Sequence, residues 1–285
     1  MRILLTGAAG VVGSVLCQNL RGRCYEVIPV DIVDSPGIIR MDLRNSNAAV
    51  TLLSEHRPDV ILHLAANKNV FFCEENISVT HEINFGITEN LTRACMNSRS
   101  RMLFLSTDYV FGAKSEVFFE DSQPCPTTQY GQDKAESEAY IEGNLDSYVI
   151  MRSAGLYGFP GDLIQVVRQA ISKGQRFNAF ANLKNCPTSL NDFFCMLDII
   201  ISRELNGIFH CVGREFLSRF DYALQVAKAL GLDASLIYSE MLDFSQDVRP
   251  PCLHLDGTKT YSVLGYHPLS LIENIKMNFS LWGGS

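Results

Sequence analysis

The chain of 285 residues carries 31 Asp and Glu against 24 Lys and Arg, a formal net charge of −7, with no basic run, which argues against a nucleic-acid or anionic-membrane partner. A hydrophobic fraction of 47% with 19% charged residues can bury a sizeable core and excludes disordered, coiled-coil and fibrous classes. An acidic protein can still hold an anionic ligand, because backbone amides at a helix start bind phosphate whatever the net charge.

In chain order, residues 4–6 are a short apolar run ending at Gly7, residues 11–21 have helical periodicity, and residues 26–31 form an apolar strand closed by Asp31. Residues 48–56 read as a helix, 59–64 as a buried strand, 79–96 as one long helix, 101–106 as a strand, 130–142 as a helix and 148–151 as a strand. Strands bounded by glycine and separated by helices imply βαβ units, hence an α/β fold with a doubly wound parallel sheet of the Rossmann type. From about Gly155 short helices dominate, over 162–173, 190–203, 218–230 and 269–277, separated by Pro- and Asn-rich pieces at 182–187 and 247–251. Nine cysteines, an odd count without CxxC spacing, read as reduced, mostly buried thiols rather than disulfides or a zinc site, and no metal is expected. Met1 leads straight into a strand, with neither a signal-peptide pattern nor a run of membrane-spanning length. The cytoplasm is the expected compartment.

Thr6-Gly7-Ala8-Ala9-Gly10-Val11-Val12-Gly13 follows the first strand and opens the first helix. The first glycine allows a tight turn, the second close approach of backbone to a pyrophosphate, and the third close packing of helix on strand. The spacing is GxxGxxG rather than GxGxxG, but its context makes a dinucleotide site. Asp31 closes the second strand, 18 residues after Gly13. A carboxylate there accepts hydrogen bonds from ribose hydroxyls and repels a 2′-phosphate, and no arginine follows it. NAD(H) is therefore favoured, with NADP(H) the alternative. Residues 1–154 are expected to form the dinucleotide-binding domain, to which later segments return. Residues 155–285 are expected to form mainly a smaller C-terminal substrate-binding cap.

Ser106-Thr107-Asp108-Tyr109 ends a strand, and Tyr130-Gly131-Gln132-Asp133-Lys134 opens a helix. The i, i+4 spacing puts the Tyr130 phenol and the Lys134 ammonium on one helix face. The cation is expected to favour the phenolate and lower the tyrosine pKa from about 10, which suits a proton donor or acceptor at neutral pH. Thr107, at a strand's carboxyl end, stands where ligands bind in such folds, and its hydroxyl can hold a substrate oxygen.

With these motifs the chain resembles the extended short-chain dehydrogenase/reductases, and within them the dTDP-4-dehydrorhamnose reductase family, to which the regulatory β subunit of methionine adenosyltransferase is also similar. The resemblance spans nearly the whole chain. It is carried by TGAAGVVG, Met41-Asp42-Leu43, Arg57-Pro58-Asp59-Val60-Ile61, Leu64-Ala65-Ala66, Asn84, STDYVFG at 106–112, YGQDK at 130–134, Cys186-Pro187-Thr188, Arg249-Pro250 and Leu255-Asp256. It implies that Gly7, Gly10, Val11 and Val12 line the pyrophosphate, Asp31 the ribose, Asp42 and Leu43 the adenine. Leu64, Ala65, Ala66 and Ser106 would border the rest of the cofactor. It makes Tyr130 the proton donor, Lys134 its activator and a cofactor-ribose ligand, and Thr107 the holder of the substrate oxygen. Thr107, Asp108, Tyr109, Gly155 and Arg249 would meet the substrate, with Arg249 towards its nucleotide.

Two positions depart from the family pattern. Gly155 stands where members carry a tryptophan that walls the sugar, so a void is expected there. Phe71 and Phe72 replace a polar Asp-Lys pair, and core packing is an even alternative to a place in the pocket. The reading is an NAD(P)H-dependent reductase of a nucleotide-linked 4-keto-6-deoxysugar, with a homodimer as the expected assembly. The alternatives are a sugar-nucleotide epimerase or dehydratase, against which Tyr109 in place of the dehydratase glutamate counts in part, and a non-catalytic NAD(P)-binding regulatory subunit.

Overall fold

The structure, a computed structural model, describes residues 1–112 and 117–278. Its first unit comprises residues 1–110, 124–152 and 204–209. In chain order the unit contains β1 (Arg2–Thr6), α1 (Val11–Gly22), β2 (Glu26–Asp31), β3 (Ile39–Arg40), α2 (Ser46–His56), β4 (Val60–His63), α3 (Val70–Glu75), α4 (Ile77–His81), α5 (Ile87–Met96), β5 (Arg101–Thr107), α6 (Gln129–Asn144) and β6 (Tyr148–Ser153). A last strand, β7 (Gly207–His210), completes the sheet.

The seven strands run in the order β7-β6-β5-β4-β1-β2-β3, and β1 to β5 pair in parallel. β1 is buried from Ile3 to Thr6 and β4 throughout, as expected of strands covered on both faces. The chain leaves β3 at one edge and re-enters beside β1 as β4. The strand order therefore reverses between β1 and β4, where open α/β sheets bind ligands beyond the strands' carboxyl ends. The register puts Thr6 level with both Val30 and His63, and His63 level with Phe104, from which β5 continues to Thr107. Leu4, Ile61, Met102, Phe104 and Ile150 of the sheet pack with Leu52 of α2, Leu91 and Cys95 of α5 and Ile141 of α6.

The single helix expected over 79–96 is broken. Between α4 and α5 lies a π turn, Glu82–Gly86, the kind of bulge that recurs at functional positions. It offers the carbonyl of buried Asn84 to the hydroxyls of Thr88 (2.9 Å) and Ser137 (3.3 Å). Helical periodicity alone does not reveal one inserted residue.

The second unit comprises residues 111–123, 153–203 and 210 onward, so the chain passes between the units several times. Its helices Leu163–Ser172, Arg219–Leu230 and Leu271–Met277 bury Ile164, Val167, Ile171, Tyr222, Val226 and Ile275 in a core of their own. Asp162, Ser218 and Ser270, expected inside helices, stand one residue before them as N-caps, accepting from the backbone N–H of Gln165, Asp221 and Glu273. Short polar side chains satisfy those otherwise unpaired donors better than they serve a helix interior. No helix of the described residues is long and apolar enough to cross a membrane. All nine cysteines are free thiols, five of them buried.

In the first unit a buried ion pair ties α6 to β6. Arg152 (1% exposed) meets Glu138 (3% exposed) with Nη2–Oε2 2.7 Å and Nε–Oε1 3.1 Å, and the Ser106 hydroxyl donates to the same carboxylate. Stranding one member of such a pair costs far more than the pair is worth as a whole. Glu138→Leu is expected to lower unfolding free energy by about 3–5 kcal/mol. Urea denaturation checks this, and a loss below about 1 kcal/mol would contradict it.

Candidate active site

The start of α1 is uncapped. Its N-cap is Gly10, with no side-chain cap and no acidic residue in the first turn. Gly10 and Val11 are exposed and Val12 partly so. The orphan amides and the positive end of the helix dipole thus face outward. Gly7 has φ +72°, and a Cβ on it would sit 2.9 Å from the backbone nitrogen of Ala65. A Cβ on Gly13 would run into the Gly7 carbonyl. The loop can lie this close to the residues after β4 only with glycine at both positions. Leu64, Ala65 and Ala66 are partly buried there.

The Asp31 carboxylate ends β2 and accepts from Ala9 N (2.9 Å) and Val33 N (3.0 Å). It braces the loop from below the ligand position expected for it. Asp42 forms a forked pair with Arg44, Nη2–Oδ2 2.6 Å and Nε–Oδ1 2.9 Å, which holds its carboxyl below the usual range. The Leu43 side chain is buried in the core and its carbonyl accepts from Asn90 Nδ2 at 3.0 Å. Any contact of Leu43 with an adenine is therefore through backbone.

Thr107 and Tyr130 come together, and Lys134 lies one turn on from Tyr130 along α6. The Thr128 hydroxyl caps α6 by accepting from Gly131 N at 3.0 Å, which places Tyr130 in the first turn. A Cβ on Gly131 would collide with the Tyr109 carbonyl, so glycine lets the helix start approach the segment after β5. Tyr109 and Tyr130 meet edge to face, centroids 5.9 Å apart. Thr107 Oγ1 donates to Asp108 Oδ1 (3.1 Å), accepts from Tyr109 N (3.3 Å), and shares a side-chain hydrogen bond with Tyr130. Lys134 is 2% exposed, its Nζ 4.0 Å from the Phe104 ring centroid.

The expected lowering of the Tyr130 pKa is not what the structure gives. Burial raises it, and the hydrogen bond to Thr107 only opposes that rise. Burial likewise pushes Lys134 down to about 7, against the pull of Glu138 and Asp133. Desolvation disfavours the charged form of each group and outweighs their neighbours. Ser106, expected at the cofactor, spends a hydrogen bond on Glu138.

The side chains that hold this helix come from several segments of the chain. Buried Asp133 accepts from His81 Nδ1 (2.9 Å) and Gln129 Nε2 (2.8 Å), with Asn84 Nδ2 at 3.5 Å. The Asn84 amide also accepts from Asn67 N (2.7 Å) and donates to Asn67 O (3.1 Å). The partners lie up to 52 residues apart. Only Gln129 and Asp133, at i, i+4, are close in sequence.

Two expectations outside this constellation are corrected. There is no void at Gly155: its φ is +47° and a Cβ would sit 2.8 Å from Asn185 Nδ2. The Asn185 amide fills the space, and the backbone conformation itself selects glycine. Phe71 and Phe72, on α3, are 47% and 38% exposed, so core packing is not their role. Arg249, in the second unit, is paired with Asp247 (Nη2–Oδ2 2.7 Å, Nε–Oδ1 2.9 Å), its guanidinium 5.5 Å from the Phe180 centroid.

A parallel sheet with this loop at its switch point, Thr107 at the end of β5 and Tyr130 and Lys134 on α6 define a Rossmann-type α/β protein of the reductase and epimerase kind. The chain belongs to the RmlD substrate binding domain family, whose model matches residues 1–276. It is 25% identical over 288 residues to a probable low-salt glycan biosynthesis reductase of Haloferax volcanii, covering 96% of each chain. It is 26% identical to the methionine adenosyltransferase 2 subunit beta of Xenopus laevis, over 82% of this chain and 73% of that one. The crystal structure of a dTDP-4-dehydrorhamnose reductase from Clostridium acetobutylicum superposes with a TM-score of 0.89 at 26% identity, covering 99% of this chain and 100% of that one.

The Lys134 environment gives a test. An ammonium titrates near 10.4 when unfolded and about 7 here. Between those values the unfolded chain holds a proton that the folded chain lacks, so this site's penalty grows as pH falls from about 10 to 7 and is then constant. Lys134→Met should raise stability by about 1–4 kcal/mol at pH 7 and below, with the gain vanishing toward pH 10. Thermal unfolding across that range checks it, and a variant less stable than wild type at pH 7 would contradict it.

Proposed function

We propose that this protein is an NAD(P)-dependent oxidoreductase that reduces the ketone of a nucleotide-linked 4-keto-6-deoxysugar. The observation that carries the reading is the hydrogen bond between Thr107 and Tyr130, with Lys134 one turn along α6, in the same unit as the uncapped glycine loop. The similarity to reductases over nearly the full chain supports it.

The residues fit a dinucleotide. The open helix N-terminus and the glycines that keep Cβ atoms out of the loop suit a pyrophosphate held by Gly7, Gly10, Val11 and Val12. Asp31 is positioned at the end of β2 to take the ribose hydroxyls, while Ala65 and Ala66 border the same loop. When bound, the cofactor supplies the hydride. Thr107 Oγ1 orients the ketone oxygen, and Tyr130 Oη gives its proton to that oxygen as charge builds on it. The raised Tyr130 pKa keeps the phenol protonated at rest, which is the form an acid in the reductive direction needs. Lys134, one turn along α6 and lowered to about 7, is the proposed activator of the phenol. Asp108 and Tyr109 beside Thr107 are the proposed substrate contacts.

The test is consumption of NADH against a panel of nucleotide-linked 4-keto-6-deoxysugars. Turnover by wild type is expected, and Tyr130→Phe should lose roughly 10²–10⁴-fold in kcat while keeping its NADH affinity. Binding of NADH without turnover of any ketone sugar would favour a regulatory, non-catalytic role, the reading that the similarity to methionine adenosyltransferase 2 subunit beta keeps in view.

Cofactor choice follows from Asp31. A 2′-phosphate would bring like charge to a carboxylate already fixed by two backbone amides. NADH should bind more tightly than NADPH in fluorescence titrations, and the reverse order would remove Asp31 from the adenosine ribose.

A further inference from the structure

His63 is fully buried at the end of β4, level with Thr6 of β1, between the two strands where the sheet order reverses. No role in binding or proton transfer assigned above uses it. Its Nδ1 lies 2.7 Å from Thr6 Oγ1 and its Nε2 3.0 Å from Thr88 Oγ1.

The partners fix every proton in this chain. The Thr88 hydroxyl donates its one hydrogen to the Asn84 carbonyl (2.9 Å), so towards the ring it can only accept, and Nε2 must carry hydrogen. Thr6 Oγ1 already accepts from Leu64 N (3.2 Å) and Ala65 N (3.3 Å), which uses both of its lone pairs. Towards the ring it can only donate, so Nδ1 must be bare. Burial, and after it the Lys134 charge, push the imidazole down to about 3, in accord with a neutral ring.

We propose that His63 is a positioning residue, locked as the neutral Nε2–H tautomer, that fastens the dinucleotide loop to the Leu64–Ala65 backbone and to the π turn carrying Asn84. Thr6 immediately precedes Gly7, whose approach to Ala65 sets the shape of the loop. Asn84 in turn reaches Asn67 and Asp133 of α6. One neutral ring thus ties the loop after β1, the loop after β4 and the helix that bears Tyr130 and Lys134 into a single hydrogen-bonded unit. A protonated ring would put a second N–H against a hydroxyl with no lone pair left. The inference rests on the dinucleotide reading for its effect on affinity, and on geometry alone for the tautomer.

The experiment has two arms on the full-length protein. In the first, long-range ¹H–¹⁵N correlation spectra of histidine-labelled wild type are recorded without cofactor from pH 5 to 9, with His63→Gln identifying the signal. The expected result is an Nε2–H ring that does not titrate. An Nδ1–H ring, or a protonated one at pH 6, would overturn the proposal. In the second, NADH affinity is measured for Thr88→Val and Thr88→Ser, which leave His63 and the loop chemically intact. Thr88→Val should weaken NADH by roughly tenfold, the scale of one stranded buried donor, while Thr6 still holds the ring as Nε2–H, and Thr88→Ser restores the affinity. Unchanged affinity in a folded Thr88→Val, or no recovery in Thr88→Ser, would overturn the coupling. If wild type binds neither NADH nor NADPH, the dinucleotide reading falls and takes the affinity claim with it. The tautomer arm then still decides the hydrogen-bond claim.

Discussion

The site depends on how closely two parallel strands bring their carboxyl ends together. Thr6 and His63 are register partners on β1 and β4, and the backbone beyond each turns away within one residue. Gly7 must pass the Ala65 backbone at a distance no side chain allows, in a left-handed conformation that itself favours glycine. That approach aims α1's uncapped start outward. It also leaves two backbone N–H groups, of Leu64 and Ala65, which the Thr6 hydroxyl receives. The shape of this loop is therefore set by strand pairing first and by glycine second.

The second constraint is burial of charge. Lys134, Glu138, Arg152 and Asp133 are each at most 3% exposed. Glu138 and Arg152 satisfy one another, and Asp133 has His81 and Gln129. Lys134 faces the Phe104 ring and is the member whose pKa falls. Water exclusion that depresses an ammonium also holds the neighbouring phenol protonated. The stability cost of Lys134 and the protonated state of the phenol have one cause, desolvation.

The architecture was legible in the sequence because parallel βαβ units write themselves in long apolar runs bounded by glycines. Residues 59–64 and 101–106 read directly as buried strands, and the loop at 6–13 as a helix-start anion site. The Thr107, Tyr130 and Lys134 set was legible because the i, i+4 spacing and the strand end are local. What failed was non-local or one residue deep. The π turn at Glu82–Gly86 shifts the helix by one residue within an unbroken apolar pattern. The space beside Gly155 is taken by Asn185, 30 residues on. The direction of the Tyr130 shift depends on burial, which residue spacing does not encode. His63 reads as one more member of a buried strand, and its partners come from β1 and α5.

The most direct test of the account follows the hydrogen rather than the rate. The protein is incubated with NADH deuterated at the transferable position of the nicotinamide and with a nucleotide-linked 4-keto-6-deoxysugar, and the sugar product is analysed by mass spectrometry and proton NMR. The account gives one deuterium per product molecule, on the carbon that was the ketone, and a new hydroxyl there. Unchanged ketone sugar alongside bound cofactor, or a product without deuterium at that carbon, would contradict it.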